Sequence, residues 1–314
     1  SALYRQLPPS SDPEASQRPG EGRKLLSFYD SRQGAARFAA FLQDVVNTQT
    51  YRHIVPKATL KYMEEHGWYP DLEHLAGLSV DMGLEYRIFH NDLELELGDN
   101  ERGLSKPQRL KLRTLMESKI LGEFTTGRRS RQSLESLGLI AVEYFEEDSL
   151  PDFVALANNL RCEVSDARAL VEHLLDGLRH SKVVTLPKDV HPDDPVFGKN
   201  VFTHHLVKTR PNTSRHEIAW IGATPRHRRN QYMEQVLRHW QQPSDEADVH
   251  RALGIIFDWI KDVADLLDGS AESGYQLNHT RLFFNPRAHW RKCSVCQRLS
   301  SRGGELPCPH PFCS

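Results

Sequence analysis

DEADVHRALGIIFDWIKDVADLL, residues 245–267, is the most strongly patterned stretch of the chain. Val249, Leu253, Ile256, Phe257, Ile260, Ala264 and Leu267 recur at three- and four-residue intervals, so one face of a helix is apolar and the other carries charge. Asp245 stands where a helix-capping residue belongs. The same period continues upstream over Asn230–Trp240, so the chain reads as mainly helical here. Between residues 187 and 216 the sequence is irregular and rich in Pro, Asp and His, which predicts a long surface loop.

Further upstream, Asp152–Leu160 and Asp166–Leu178 are two amphipathic helices. Ser165 is placed to cap the second and His180-Ser181 to turn out of it. Val183-Val184-Thr185-Leu186 then reads as a short strand. Helix, helix, strand is the order of a winged-helix unit, with residues 150–187 as the candidate span. Residues 48–90 predict two helices parted by Gly67-Trp68-Tyr69-Pro70. Ser105-Lys106-Pro107 opens another, with serine as cap, proline in the first turn, and an apolar stripe of Leu110, Leu112, Leu115, Met116, Ile120 and Leu121. Leu137–Phe145 reads as a strand, being rich in branched and aromatic residues.

At the front, Lys24–Tyr29 is a compact apolar run with a helix directly after it, capped by Asp30 or Ser31. Residues 1–22, rich in Pro, Ser, Gly and Glu, form an expected disordered linker. The expected class is therefore α+β, mainly helical. The expected segments are a linker over 1–22, a strand–helix piece over 23–47, a helical region over 48–272 and a metal-binding module over 273–314.

Composition limits the functions available. Lys and Arg number 40 against 42 Asp and Glu, a formal net charge of −2, so no global basic field exists to hold nucleic acid. Binding of that kind needs local basic patches. The chain has no run of 18 apolar residues and no apolar signal-peptide core, which points to a cytoplasmic setting without membrane contact. It begins at Ser1 without a methionine and ends one residue past Cys313, so we expect a segment of a longer protein. Nucleophile-elbow, metalloprotease and dinucleotide-binding signatures are all missing from the sequence.

The strongest chemical signal is Cys293-Ser-Val-Cys296, eleven residues, then Cys308-Pro-His310-Pro-Phe-Cys313. Four thiolates in two close pairs supply a tetrahedral zinc site, and four protein ligands make such a site structural. His310 is an alternative fourth ligand. Cys162 lies between two expected helices and reads as a small buried apolar residue. Three basic clusters are candidates for phosphate contact: Arg128, Arg129 and Arg131; Arg226, His227, Arg228 and Arg229; and Arg287, His289, Arg291 and Lys292 beside Trp290, an aromatic that can stack on an unpaired base. The residues around the first strand, Ser27, Asp30, Ser31, Arg32 and Gln33, sit at a helix start, where amides and hydroxyls suit a phosphate oxygen.

Lys24-Leu-Leu-Ser-Phe-Tyr-Asp-Ser-Arg-Gln33 resembles motif IV of superfamily 2 DEAD/DEAH-box helicases, in the second RecA-like domain. The similarity is to large bacterial members in which a helical insertion follows, carrying a passage like Arg128-Arg-Ser-Arg-Gln-Ser-Leu-Glu-Ser-Leu-Gly-Leu139. Those members also carry a tryptophan-led zinc knot like Trp290-Arg-Lys-Cys293-Ser-Val-Cys296 with Pro307-Cys308 through Cys313. Relatives of this kind occur in antiphage defence and DNA repair. The resemblance covers roughly residues 23–146 and 275–313, and Tyr29 departs from the small polar residue often found at its position.

This resemblance implies an ATP-driven DNA helicase or translocase as the parent, a hydrolase using ATP and Mg2+ bound elsewhere in it. The chain itself lacks a phosphate loop, an acidic magnesium box and an arginine-rich motif VI, so no ATP hydrolysis is expected from it alone. Ser27, Ser31, Arg32 and Gln33 would face the nucleic-acid backbone. The expected partners are single-stranded DNA or a duplex junction and the remaining RecA-like domains. The competing expectation is a protein-docking module of a multi-subunit defence or repair complex, with zinc as a staple.

Overall fold

The computed structural model describes residues 51–85, 104–125, 133–146, 150–194, 197, 204–209, 216–303 and 305–309. The expected linker, the strand over 24–29 and its following helix lie outside them.

Helix α1 covers 51–66 within the described residues. It buries Tyr51, Ile54, Val55, Ala58 and Tyr62, a stripe at helical spacing. Gly67 ends it at φ 78°, a left-handed position that glycine adopts without a Cβ clash, and its N–H donates to the Met63 carbonyl. Asp71 then caps α2 (Leu72–Glu85) by accepting from the His74 N–H at 2.8 Å. The two helices and the break expected over 48–90 are thus present as far as the described residues extend. Helix α3 (Lys106–Phe124) starts as expected at Ser105, whose N–H donates to the Gln108 side chain at 2.9 Å. Its stripe is shifted from the expected one: Leu112, Met116, Ile120, Leu121 and Phe124 are buried and Leu110 is exposed.

Strand β1 (Ala141–Glu143) is three residues long, because 133–139 before it forms a turn. Helix α4 (Phe153–Leu160) is capped by Asp152. Helix α5 (Val164–His180) begins at Glu163, two residues ahead of the expected cap, so Ser165 is inside the first turn. The strand expected over 183–186 reduces to one bridge, Val184 beside Leu277.

The stretch expected to be a surface loop contains β2 (His205–Thr209), with Leu206 and Val207 buried, and Val190 and Phe197 are buried as well. Strand β3 (Glu217–Ile221) runs parallel to it. Helices α6 (Arg228–His239) and α7 (Glu246–Asp262) follow, the second capped by Asp245 as its sequence predicts. Leu267 belongs not to α7 but to β4 (Leu267–Ser270), which forms a hairpin with β5 (Gly274–Leu277). The four-stranded sheet has the order β3-β2-β5-β4. Strand β6 (Phe283–Asn285) returns to pair antiparallel with β1, placing Val142 opposite Phe284.

The expected boundary at 272/273 therefore falls in the turn of the β4–β5 hairpin, and the helical body runs on to Asn285. One continuous apolar core joins α1 to β6, with Trp220, Tyr144, Phe124, Phe257 and Phe284 as its largest fully buried apolar members. No described helix is long and apolar enough to cross a membrane. The architecture is α+β with seven helices among the described residues, as the class reading expected.

Candidate metal centre

Beyond Asn285 the chain forms a small hairpin of β7 (Arg291–Lys292) and β8 (Leu299–Ser300). Its tip is Cys293-Ser-Val-Cys296. The Gln297 N–H donates to the Cys293 carbonyl at 3.0 Å and the Cys293 N–H to the Arg298 carbonyl at 2.9 Å, closing a tight knuckle with Gln297 at φ 60°. Cys308 returns to it from the far side of the loop. The Sγ atoms of Cys293, Cys296 and Cys308 all lie within 4.8 Å of one another. Cys296 Sγ and Cys308 Sγ are 3.7 Å apart. Two thiolates bonded at about 2.3 Å to one tetrahedral ion sit about 3.8 Å apart, so the spacing fits a shared metal. Three half-buried sulfurs are a soft donor set, which fits zinc better than magnesium or calcium. The expected fourth ligand, Cys313, and the alternative His310 lie outside the described residues.

Cys296→Ser is expected to remove most of the bound metal, because one of three converging sulfurs is replaced by a poor ligand at this distance. Metal content of the purified protein, measured by atomic emission, checks this; unchanged content would remove the site.

Among the described residues, three contacts bear most directly on how this module is held on the body. A Cβ at Gly138, which has φ 72°, would come within 3.0 Å of Leu299 Cδ1 and 3.7 Å of the Trp290 ring. Two of the three passages that carried the helicase resemblance, the described part of Arg128–Leu139 and the tryptophan-led knot, are therefore packed on each other. The Tyr232 hydroxyl on α6 donates to the Pro307 carbonyl at 3.3 Å. The third contact is Arg302, a residue that the sequence reading did not single out.

Arg302 lies inside a pocket of carboxylates, with its side chain 1% exposed. Its guanidinium donates to Asp176 Oδ1 and Oδ2 at 2.8 and 3.1 Å, to Glu143 Oε2 at 2.9 Å and to the Val142 carbonyl at 2.6 Å. Glu172 Oε2 is 3.7 Å away. Arg179, fully buried, shares Asp176 at 3.0 Å and donates to Glu135 at 2.6 Å, to the Tyr144 hydroxyl at 3.0 Å and to the Phe124 carbonyl. His180 Nε2 is 3.0 Å from the other Glu135 oxygen.

Burial by itself would raise the Asp176 carboxyl, yet Arg302 and Arg179 outweigh it and hold that group well below the usual carboxylate range. Glu135 follows the same balance, with Arg179 bringing it down to about 2. Glu143 goes the other way, because its burial exceeds the pull of Arg302. Every charge in this network is matched by a hydrogen-bonded partner, the condition under which buried ions persist. The cluster is a structural lock in closed packing.

The structure separates the expected nucleic-acid contacts. Ser27, Ser31, Arg32, Gln33, Arg128, Arg129 and Arg131 lie outside the described residues. Arg226 and Arg228 are exposed at the start of α6, where His227 supplies no side-chain cap. Arg291 is exposed on β7. Trp290 is half-buried against Gly138, which limits it as a free stacking surface. Arg229 departs from the expectation. Its guanidinium carbon stands 4.6 Å from the centroid of the buried Trp220 ring, and Nη1 donates to the Ala219 and Trp220 carbonyls at 2.9 Å each. Burial lowers its pKa. A guanidinium engaged inward in this way is a structural group, so the basic cluster presents Arg226 and Arg228 alone.

Cys162, expected to be buried, is half-buried against the core, and burial pushes its thiol up to about 12, which leaves it unreactive. Compared with known protein families, with curated proteins and with solved structures, the chain matches none.

Proposed function

We propose that this chain is a nucleic-acid-binding, strand-guiding segment of an ATP-dependent DNA helicase or translocase, in which zinc holds the last loop and ATP is bound by other domains of the parent. The observation that carries the reading is the placement of the basic start of α6. Arg228 is one helical turn before Tyr232, and the Tyr232 hydroxyl contacts the Pro307 carbonyl of the cysteine loop. Arg226 and Arg228 thus stand at the start of the helix that touches the module, and the module carries Arg287, Arg291 and Lys292, all exposed. Local basic runs of this kind are what phosphate contact needs on a chain of nearly zero net charge. The RecA-like piece over 23–47 and the winged-helix unit over 150–187 belong to this proposal as parts of the same parent.

A docking module is the second reading. Leu137, Leu139, Val295 and Leu299 are exposed by 52, 46, 64 and 38%, and they flank the Gly138–Trp290 contact from both sides. Exposed apolar residues grouped in this way suit a protein partner.

Fluorescence anisotropy with labelled single-stranded and duplex DNA over a salt series separates the two. Each phosphate neutralised adds roughly 0.7–0.9 to the slope of log affinity against log salt. Arg226→Ala with Arg228→Ala is expected to reduce that slope by about 1–2 and to weaken binding several-fold at low salt. Equal losses at low and high salt would count against phosphate contact there. Absence of any binding by metal-loaded protein would leave the docking module as the function.

A further inference from the structure

The loop that the cysteines close is held at its middle by a buried charge. Arg302 stands six residues after Cys296 and six before Cys308, so it occupies the centre of the segment that a metal would cyclise. Its partners belong entirely to the body: Glu143 and the Val142 carbonyl on β1, Asp176 and Glu172 on α5. A free eleven-residue loop between Cys296 and Cys308 would lose conformational entropy when a metal gathered its ends. With Arg302 seated, part of that loss has already occurred. The same reasoning runs in reverse, because a metal that closes the loop presents Arg302 to its pocket already ordered.

We infer that Arg302 is the positioning residue of the metal centre, and that through it metal occupancy is coupled to the packing of α5 and β1. Coupling of this kind is reciprocal: whatever Arg302 contributes to metal affinity, the metal contributes to seating Arg302. Arg168 also pairs with Glu172, at 2.9 Å within α5, but among the described residues Glu143 has no cationic partner besides Arg302. Without Arg302, Arg179 faces Asp176 and Glu135, and Glu143 and Glu172 lose a partner. Loss of metal therefore loosens the loop and leaves buried carboxylates undercompensated in the helical body. This inference rests on reading the three sulfurs as a metal site.

The test is a zinc titration of the full chain against a chromophoric chelator, run on the wild type, Arg302→Met and Glu143→Gln. Helical content is checked by circular dichroism, and thermal unfolding is followed with and without EDTA. Arg302→Met is expected to keep its zinc stoichiometry but to bind several-fold more weakly, because freeing the middle of the loop restores part of its closure cost. Glu143→Gln moves the same way by less and answers the question if Arg302→Met does not fold. EDTA lowers the unfolding midpoint of the wild type by more than that of either variant. Zinc affinity equal to the wild type in a folded variant, whatever its thermal midpoint, would show an ion pair that is structural only and overturn the inference. A wild type that binds no zinc would overturn the metal reading and this inference together.

Discussion

Arg179→Met is expected to cost about 3–5 kcal/mol of folding stability, the usual penalty for removing one partner of a buried ion pair. Methionine fills much of the volume, so little of the loss is cavity. What remains is electrostatic: Glu135 and Asp176 keep their burial and lose the guanidinium they share, and the Phe124 carbonyl and Tyr144 hydroxyl lose a donor. The pH dependence distinguishes this cause from poor packing. In the wild type, Glu135 and Asp176 have folded pKa values below those of the unfolded chain, where Glu and Asp titrate near about 4. Their share of stability is present above that pH and is lost as pH falls toward about 2, the folded value of Glu135. Glu143, raised by burial, works in the opposite sense and loses stability as pH rises above its unfolded value. In Arg179→Met the desolvation of Glu135 is no longer offset, so protonation relieves the strain. The gap between variant and wild type, read from urea midpoints, should therefore narrow from about pH 7 to about pH 4. A gap independent of pH would assign the loss to packing.

The network was hidden from the sequence for a physical reason. Glu172, Asp176 and Arg179 lie at i, i+4 and i+7 on α5, a spacing that ordinarily marks a solvated polar face. Besides the local pairs Arg168–Glu172 and Asp176–Arg179, their partners are Glu135 and Arg302, far along the chain, and no local pattern announces that pairing. The one available signal was that α5 is apolar around the rest of its circumference, with Ala167, Leu170, Val171, Leu174, Leu175 and Leu178 all buried. A helix so covered has no solvent left for its charges. Strands β2 and β3 were missed for a different reason, since each has five residues and lies beside a Pro-, Asp- and His-rich stretch that gives turn signals. By contrast α3, α4 and α7 were legible, because caps and 3.6-residue periodicity agree in each. The convergence of Cys293, Cys296 and Cys308 was also legible, since the spacing of sulfurs in a short loop constrains geometry almost regardless of fold.

Trp220→Ala is expected to cost about 3–5 kcal/mol, the range for deleting a large buried aromatic. Trp220 is fully buried near the end of β3, its Nε1 donates to the Leu253 carbonyl of α7 at 2.7 Å, and its ring lies 5.9 Å from that of Phe257. It therefore ties the sheet edge to the helix whose periodicity is clearest in the chain. Trp220→Phe keeps much of the ring but loses the donor, and should cost only about 1–2 kcal/mol. The ring also carries Arg229, which makes a further consequence measurable. A double-mutant cycle of Trp220→Leu, which removes the aromatic face, with Arg229→Met should give a coupling of about 0.5–2 kcal/mol in urea unfolding, since the guanidinium gains from the ring it covers. DNA affinity should follow Arg226 and Arg228 and stay unchanged in folded Arg229→Met. If instead Arg229→Met weakened DNA binding while leaving stability intact, the inward hydrogen bonds to Ala219 and Trp220 would be a resting arrangement that the residue abandons for phosphate. The basic cluster would then act as a unit, and the sheet edge around Trp220 would have to open when the chain engages a strand.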